Sequence, residues 1–460
     1  MRRRSYSGAE MVVNVSSSPY RVGVVSTRRE MLSTRSADNQ VTLVYGNSVG
    51  SQDGLVFDGG GYVFQNGRRA LDAPRFREGW AACVVDLDRT RRMRQENTTW
   101  RTDLEDFQER YEPVPVLASE HPSGDRSGLR YPPPLGDSFF LPQDGESGPS
   151  PRDEVLDDLI SALSLGIKDY YLKTGAFRSI GVALSGGRDS MLTLLLAWRA
   201  ALLLNEEDRA KAGETIQAFY MPTRYSGEGT RDAASTLCKE LGISLRVVPI
   251  EEAFDREVEA TRRMLDGGEP TEITRQNVQA RIRAARMWNW ANTAGALFLQ
   301  TGDMSEKAVG YTTIGGDLEG ALSVIANVPK TVVIALLERF HRLYGFEGVA
   351  LTLATAPGPE LAEAQAAEDE LMPFPVLDAC LHLYAGEKLA PDEVALALRS
   401  LFPDVDSGKL DGWAKRFAAL FSRSIYKWVQ SPLALHVGSL DLDRERALQL
   451  PVVQRNEWNG

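Results

Sequence analysis

Short apolar runs separated by turn residues fill the first 92 positions, and from about residue 151 apolar runs alternate with helical periods. In the first region the runs at 11–15, 41–45, 61–64 and 81–85 predict strands, with a helix over 28–39 between the first two. The charged stretch 89–110 predicts a helix. Pro and Gly then crowd the chain up to Pro151, a density that suits a connector draped over surfaces. Beyond it the pattern predicts an amphipathic helix over 153–173, strands over 180–184, 217–221, 245–250 and 296–300, and helices over 231–241 and 272–293. Strands alternating with helices predict an α/β fold built on a doubly wound parallel sheet. Ligands of such sheets bind beyond the carboxyl ends of the strands. Ser185, Met221 and Thr301 fall just past three such ends and are expected to converge.

The sharpest local signal is Ser179-Ile-Gly-Val-Ala-Leu-Ser-Gly-Gly-Arg-Asp-Ser190. It reads as a buried strand, a tight glycine turn and a helix N-terminus, a corner whose free amides and positive dipole end suit phosphate. Gly186 and Gly187 let the backbone approach an anion closely, and Asp189 in the first helical turn could hold a metal ion that bridges phosphates. An ordinary strand-to-helix turn is the plain alternative. A nucleophile elbow is another, since Ala183-Leu184-Ser185-Gly186-Gly187 nearly fits G-x-S-x-G, with His382 or His436 as the base. The P-loop of kinase-like NTPases does not fit, because no Lys-Ser/Thr follows the glycines.

Further segments carry chemistry at matching places. Met221-Pro-Thr-Arg-Tyr-Ser226 follows the second strand and offers an apolar, backbone-rich edge to a base, or simply ends the strand at Pro222. Asn277, Arg281 and Arg286 lie roughly on one side of a helix, as binding groups or as a solvated charged face. Thr301-Gly-Asp-Met-Ser-Glu306 closes the fourth strand, Gly316-Asp317 adds an acid, and Lys330 stands at a helix start, where the dipole gives a cation nothing. Asp189 and Glu306 are the pair expected to bind Mg2+, with Lys330 as a second positive charge toward a ligand anion.

Composition narrows the class. The 460 residues exceed one core and suggest two domains with a linker. The 63 acidic against 52 basic residues, net −11, disfavour a general nucleic-acid or anionic-membrane binder. The 3 cysteines, Cys83, Cys238 and Cys380, stand far apart in apolar surroundings and are expected to be buried thiols of a reducing compartment. The 4 scattered histidines make no metal pattern. The basic start lacks an apolar stretch behind it, and no run approaches a membrane span. A cytoplasmic protein is expected.

Ser185-Gly-Gly-Arg-Asp-Ser190 resembles the signature of the N-type ATP pyrophosphatases, and the ordered set of further motifs resembles the synthetase domain of NAD+ synthetase. That set adds Met221 to Ser226, Asn277-Val-Gln-Ala-Arg281, Thr301 to Glu306, Gly316-Asp317, Lys330-Thr331 and Pro359-Glu-Leu361. The resemblance implies ATP-dependent amidation of deamido-NAD through an adenylated intermediate, with AMP and pyrophosphate released. It implies that Ser185, Gly186, Gly187, Asp189, Ser190, Met221 and Thr301 hold ATP. Asn277, Arg281, Glu306, Asp317 and Lys427 would face deamido-NAD. Asp189, Glu306 and Lys330 would serve catalysis, Asp189 and Glu306 through Mg2+. A homodimer formed through this domain is also implied. Another N-type pyrophosphatase, such as a GMP synthetase or a tRNA-modifying ligase, would keep 185–190 without the segments at 277–281 and 301–317.

Residues 8–20 and 50–60 resemble the C-terminal half of a nitrilase-type glutaminase domain, the partner domain of the glutamine-dependent branch. In that family the catalytic Glu, Lys and Cys precede the Gly-Ala-Glu segment, here Gly8-Ala9-Glu10, and this sequence has neither Lys nor Cys ahead of Cys83. Ser18 matches a serine that helps hold glutamine, while Val24 replaces a basic residue and Ile314 replaces the basic residue of ammonia-only members. The expected organisation is a partial nitrilase-like domain (1–92), a linker (93–150) and a synthetase domain (151–460). The expected nitrogen donor is free ammonia, not glutamine. The truncated or degenerate front half also allows a non-catalytic partner of an intact synthetase.

Overall fold

The computed structural model describes residues 1–114, 150–355, 371–444 and 447–452. They form two compact units, residues 1–50 with 57–155, and residues 51–56 with 156–460.

The first unit opens with helix α1 (Arg2–Tyr6), strand β1 (Met11–Ser16), helix α2 (Val24–Asp38) and strand β2 (Thr42–Asn47). Strands β3 (Val49–Gln52), β4 (Leu55–Gln65) and β5 (Arg68–Arg75) follow, β3 and the start of β4 spanning the change of unit. β1 and β2 run parallel, whereas β2, β4 and β5 pair antiparallel, giving the order β1-β2-β4-β3 with β5 on β4. Leu43 and Tyr45 alternate onto one face and meet Tyr62, Phe64 and Leu32 of α2, as a half-buried strand requires. The alternation fails at β1, whose Met11, Val13 and Val15 are exposed. The expected strand at 81–85 does not form. Cys83 there is exposed, in an irregular stretch with Trp80 and Val84 also in solvent, so it is not the buried thiol its neighbours suggested. An apolar run is ambiguous when no partner strand is available to pair with it.

Helix α3 (Leu87–Glu96) and helix α4 (Thr98–Arg110) replace the one charged helix expected, because Asn97 ends the first and caps the second through Trp100 N–H. Trp100 and Phe107 of α4 pack on Tyr6, so residues 98–110 belong to the first unit and not to a connector. Most of the Pro- and Gly-rich stretch lies outside the described residues.

The second unit starts with helix α5 (Pro151–Thr174), strand β6 (Ser179–Ala183) and helix α6 (Arg188–Leu204). Helix α7 (Arg209–Thr215), strand β7 (Ile216–Tyr220), helix α8 (Glu228–Leu241), strand β8 (Ser244–Val247), helix α9 (Glu251–Met264) and helix α10 (Glu272–Ala294) follow, then strand β9 (Ala296–Gln300), helix α11 (Met304–Val309) and strand β10 (Leu322–Ser323). The sheet is parallel throughout, in the order β10-β9-β6-β7-β8. The α/β, doubly wound class is therefore the observed one, and the strand order reverses between β6 and β9. α6 is apolar nearly all round and almost wholly buried, as a central helix must be.

The pattern left the C-terminal third unread. There helix α12 (Lys330–Tyr344), helix α13 (Glu347–Ala354), helix α14 (Phe374–Leu381), a π-helical turn (His382–Gly386), helix α15 (Pro391–Leu401) and helix α16 (Ser407–Trp428) complete the fold. α14 to α16 close an apolar cluster around Leu377, Leu398, Phe417, Phe421 and Trp428, into which α11 inserts Met304 and Val309.

Candidate active site

Beyond β6 the backbone turns at Gly186, with φ +84° and a Cβ position only 2.1 Å from the carbonyl oxygen of Thr230. No side chain fits there. Ser185 and Ser190 close the loop on itself. Their hydroxyls lie 3.0 Å apart, Ser190 Oγ accepts from Ser185 N–H at 3.2 Å, and Ser185 Oγ accepts from Gly187 N–H at 3.2 Å. Gly187 begins α6 with no side-chain cap. The first-turn amides and the dipole therefore stay available to an anion.

This corner forms one wall of a cavity of about 530 Å3 at the carboxyl ends of β6, β7 and β9, beside the strand-order reversal. Met221 and Thr301 line it as well, so the residues after three strands do converge. His382 and His436 do not line it. His382 faces Glu387, and His436 sits between Asp441 and Asp443, so neither is placed as a base for Ser185.

Four charges meet at the cavity floor, where Asp189, Glu306 and Lys330 line it and Asp303 is buried behind them. Lys330 Nζ lies 2.6 Å from Asp189 Oδ2, 2.6 Å from Asp303 Oδ2 and 2.9 Å from Glu306 Oε1. Asp189 comes from the first turn of α6, Asp303 caps α11 through Glu306 N–H at 2.9 Å, and Glu306 is on α11 itself. Lys330 opens α12, with its ammonium 5.2 Å from the centre of the Phe374 ring. The unfavourable dipole position of this lysine is answered by three carboxylates of its own chain, not only by a ligand.

Burial pushes the Asp189 carboxyl up to about 6, with Lys330 opposing and Asp303 adding to the rise. Burial also raises Glu306 well above the usual carboxylate range, reinforced by Asp303. Burial alone would lower Lys330, but the three acids more than offset it and its proton is held well above the ordinary value. Three carboxylates against one ammonium leave an excess of negative charge, and Asp189 Oδ1 is buried without a hydrogen-bond partner. Carboxylate oxygens of the three acids lie within 4.8 Å of one another. An acidic, oxygen-only donor set with an unsatisfied oxygen fits a hard divalent cation.

Asn277, on α10, lines the opposite wall and accepts from Thr313 Oγ1 at 2.7 Å. Arg281 is exposed and outside the lining, donating through Nε to Ile314 O at 3.1 Å. Arg286 is turned away, on Pro249 O at 2.8 Å, so the three residues do not share one functional face. Arg283 occupies the cavity wall instead, its Nε on Met221 O at 3.0 Å. Asp317 opens onto the cavity and accepts from Thr313 N–H, and the protein packed behind it pushes its carboxyl up to about 6. Lys427, reaching in from α16, bonds Gly310 O and Thr312 O at 2.6 Å each, and burial lowers its pKa against the pull of Asp317. Pro359 to Leu361 lie outside the described residues.

Asp303 is the residue the motif reading passed over. Its signal was present in Thr301-Gly302-Asp303, an acid at a strand end three residues ahead of Glu306, where helix capping and charge pairing coincide.

The NAD synthase family model matches residues 159–404. The glutamine-dependent NAD(+) synthetase of Thermotoga maritima is 33% identical over 393 residues, which span 84% of this chain and 62% of that protein. The namesake enzyme of Aquifex aeolicus is 32% identical over 402 residues, 85% of this chain and 64% of its own length. This chain thus spans less than two thirds of either relative. Among solved structures, a glutamine-dependent NAD(+) synthetase from Cytophaga hutchinsonii superposes with a TM-score of 0.73 at 20% identity, covering 98% of this chain and 70% of that one, a likeness of fold. The corner, the charged floor and the sheet that positions them sit inside or beside the matched span, and the chain belongs to the NAD synthase family.

Proposed function

We propose that this chain amidates deamido-NAD to NAD+ at the expense of ATP, through an adenylated carboxylate. The carrying observation is the floor of the cavity, where Asp189, Glu306, Asp303 and Lys330 stand beside the uncapped start of α6. In this reading the first-turn amides that follow Gly187, with the Ser185 and Ser190 hydroxyls, grip the triphosphate, with Gly186 keeping the corner open and Met221 and Thr301 against the nucleoside. Lys330 places positive charge where pyrophosphate departs, a point charge that needs no deprotonation. Asp189 and Glu306, with Asp303 beside them, would hold Mg2+, which when bound neutralises charge on the leaving pyrophosphate. The attacking group of the first step is already a carboxylate, so the site needs no base for it. Asn277, Asp317 and Lys427 would face deamido-NAD. Arg281 joins them only through Ile314, and Arg283 is better placed to do so.

The domain assignment is part of the same reading: a nitrilase-like domain that takes in α3 and α4, a connecting stretch beyond them, and a synthetase domain over 151–460, with a homodimer through the last. A cytoplasmic enzyme of small-molecule substrates follows, and no helix among the described residues is long and apolar enough to cross a membrane. Free ammonia is the proposed donor. Cys83 is exposed on an irregular segment and its thiol is raised by burial of its surroundings, the opposite of an activated nucleophile.

Pyrophosphate release with deamido-NAD, ATP and Mg2+ tests the proposal. Turnover is expected with ammonium and not with glutamine. Equal use of both donors would overturn the donor assignment, and no release with either would favour a non-catalytic partner.

A further inference from the structure

Lys330 begins a helix, and the residue before it, Pro329, offers no side-chain cap. The amides of that first turn are satisfied from other elements. Lys330 N–H donates to Ser305 Oγ at 2.8 Å, and Thr331 N–H donates to Asp378 Oδ2 at 2.9 Å. Thr331 Oγ1 donates to the same oxygen at 2.6 Å, and Ser305 Oγ donates to Asp378 Oδ1. One carboxylate on α14 therefore receives both the α12 start and, through Ser305, the residue next to Glu306. Phe374, one helical turn earlier on α14, lies under the Lys330 ammonium. The two side chains fix the lysine at its two ends, backbone and charge.

We propose that Asp378 is a positioning residue that aims Lys330 at Asp189, Asp303 and Glu306. The inference rests on the reaction proposed above for the same site. Asp378 supplies the negative charge that the N-terminus of α12 favours, and Lys330 itself cannot supply it. Removing Asp378 leaves the first-turn amide of Thr331 without its acceptor and Ser305 without its anchor. The first turn of α12 then frays and the ammonium leaves its register by the ångström or so that matters at a reacting centre.

The test combines turnover with a readout independent of it. In D378A, kcat is expected to fall by ~10–100-fold, the range seen when an outer partner of a functional group is removed, while KM for ATP moves less than about 3-fold, since the glycine corner is untouched. D378N keeps an oxygen for Thr331 but neither the charge nor the second acceptor, and is expected to recover only part of the loss. In a K330A background the D378A factor is expected to vanish, because both changes remove the same contribution. In parallel, acetic anhydride labelling read by mass spectrometry reports on the lysine directly. Lys330 of the native chain is expected to be protected, and D378A to label ~10-fold faster or more, as its buried ion pairs open. Wild-type labelling in folded D378A, or an undiminished D378A factor in K330A, would overturn the proposal. If the native chain releases no pyrophosphate, that failure belongs to the proposed reaction and the labelling alone decides this one. Should D378A not fold, S305A cuts the same link at Lys330 N–H and is expected to label alike.

Discussion

Two buried charge clusters, one in each unit, use similar residues to opposite ends. In the first unit Arg28 donates to both oxygens of Asp58 at 3.2 and 3.0 Å, Asn47 Nδ2 donates to Asp58 Oδ1 at 3.0 Å, and Arg75 stands 3.7 Å away. Both carboxylate oxygens are satisfied and the guanidinium lies over the Tyr45 ring at 5.6 Å. In the second unit one ammonium serves three acids, an Asp189 oxygen is left over, and two of the carboxyls are raised by burial. A saturated cluster holds a fold, whereas an unsaturated one holds a place for a ligand.

The largest effect that bears on this contrast is expected from E306Q. Turnover should fall ~10²- to 10³-fold, the scale for losing one preorganised electrostatic partner, while the urea midpoint stays level or rises because a like-charge repulsion is relieved. An E306Q that lost stability yet retained specific activity would erase the distinction. R28M should do the reverse. It takes from Asp58 its bidentate partner and leaves only Asn47 and the more distant Arg75, and the expected loss of ~3 kcal/mol in urea unfolding should be partly recovered in R28M/D58L.

Protonation sharpens the contrast on a smaller scale. The Asp189 carboxyl sits at about 6 in the fold, against an ordinary 3.8, so the folded chain binds this proton more tightly than the unfolded one. Its contribution to stability is fully present below about 3.8 and is lost as pH rises through about 6. D189N, which imitates the protonated acid, should exceed the wild type in urea midpoint at pH 7.5 and by a smaller margin at pH 5, matching it only toward about 3.8. Magnesium affinity needs the carboxylate and should run the other way, weakening several-fold by calorimetry between those pH values. The smallest effect concerns thiols. Cys83 should react with iodoacetamide in the native chain, while Cys238 and Cys380, both pushed to about 12 by burial, should react only on unfolding.

Much of the site was legible because its backbone is local. Gly186 must turn at positive φ against Thr230 O, and a Ser-Gly-Gly-x-Asp-Ser run announces such a turn in six letters. Strand ends could be placed within a residue or two, since β6, β7 and β9 are short, mainly apolar runs flanked by polar turns. Arg281 and Arg286 were misgrouped because helical spacing puts residues on a side without saying what that side faces; here Ile314 O and Pro249 O claim them. Asp303 went unassigned because its partner Lys330 is distant in sequence. The strand expected at 81–85 failed for want of a partner, which no local pattern reveals.

What the amino-acid order determined by itself is the class of architecture: a parallel sheet, a glycine corner after its first strand, and acids and a lysine at successive element starts. These follow from periodicity, glycine conformation and helix ends, all short-range properties. The tertiary structure alone decided that three carboxylates share one ammonium, that an Asp189 oxygen is left without a hydrogen-bond partner, and that Asp378 bonds Thr331 and Ser305 beside the lysine. Those facts depend on how α6, α11, α12 and α14 pack together. Long-range packing sets the burial and the distances, and burial and distance set the charge a buried group can keep.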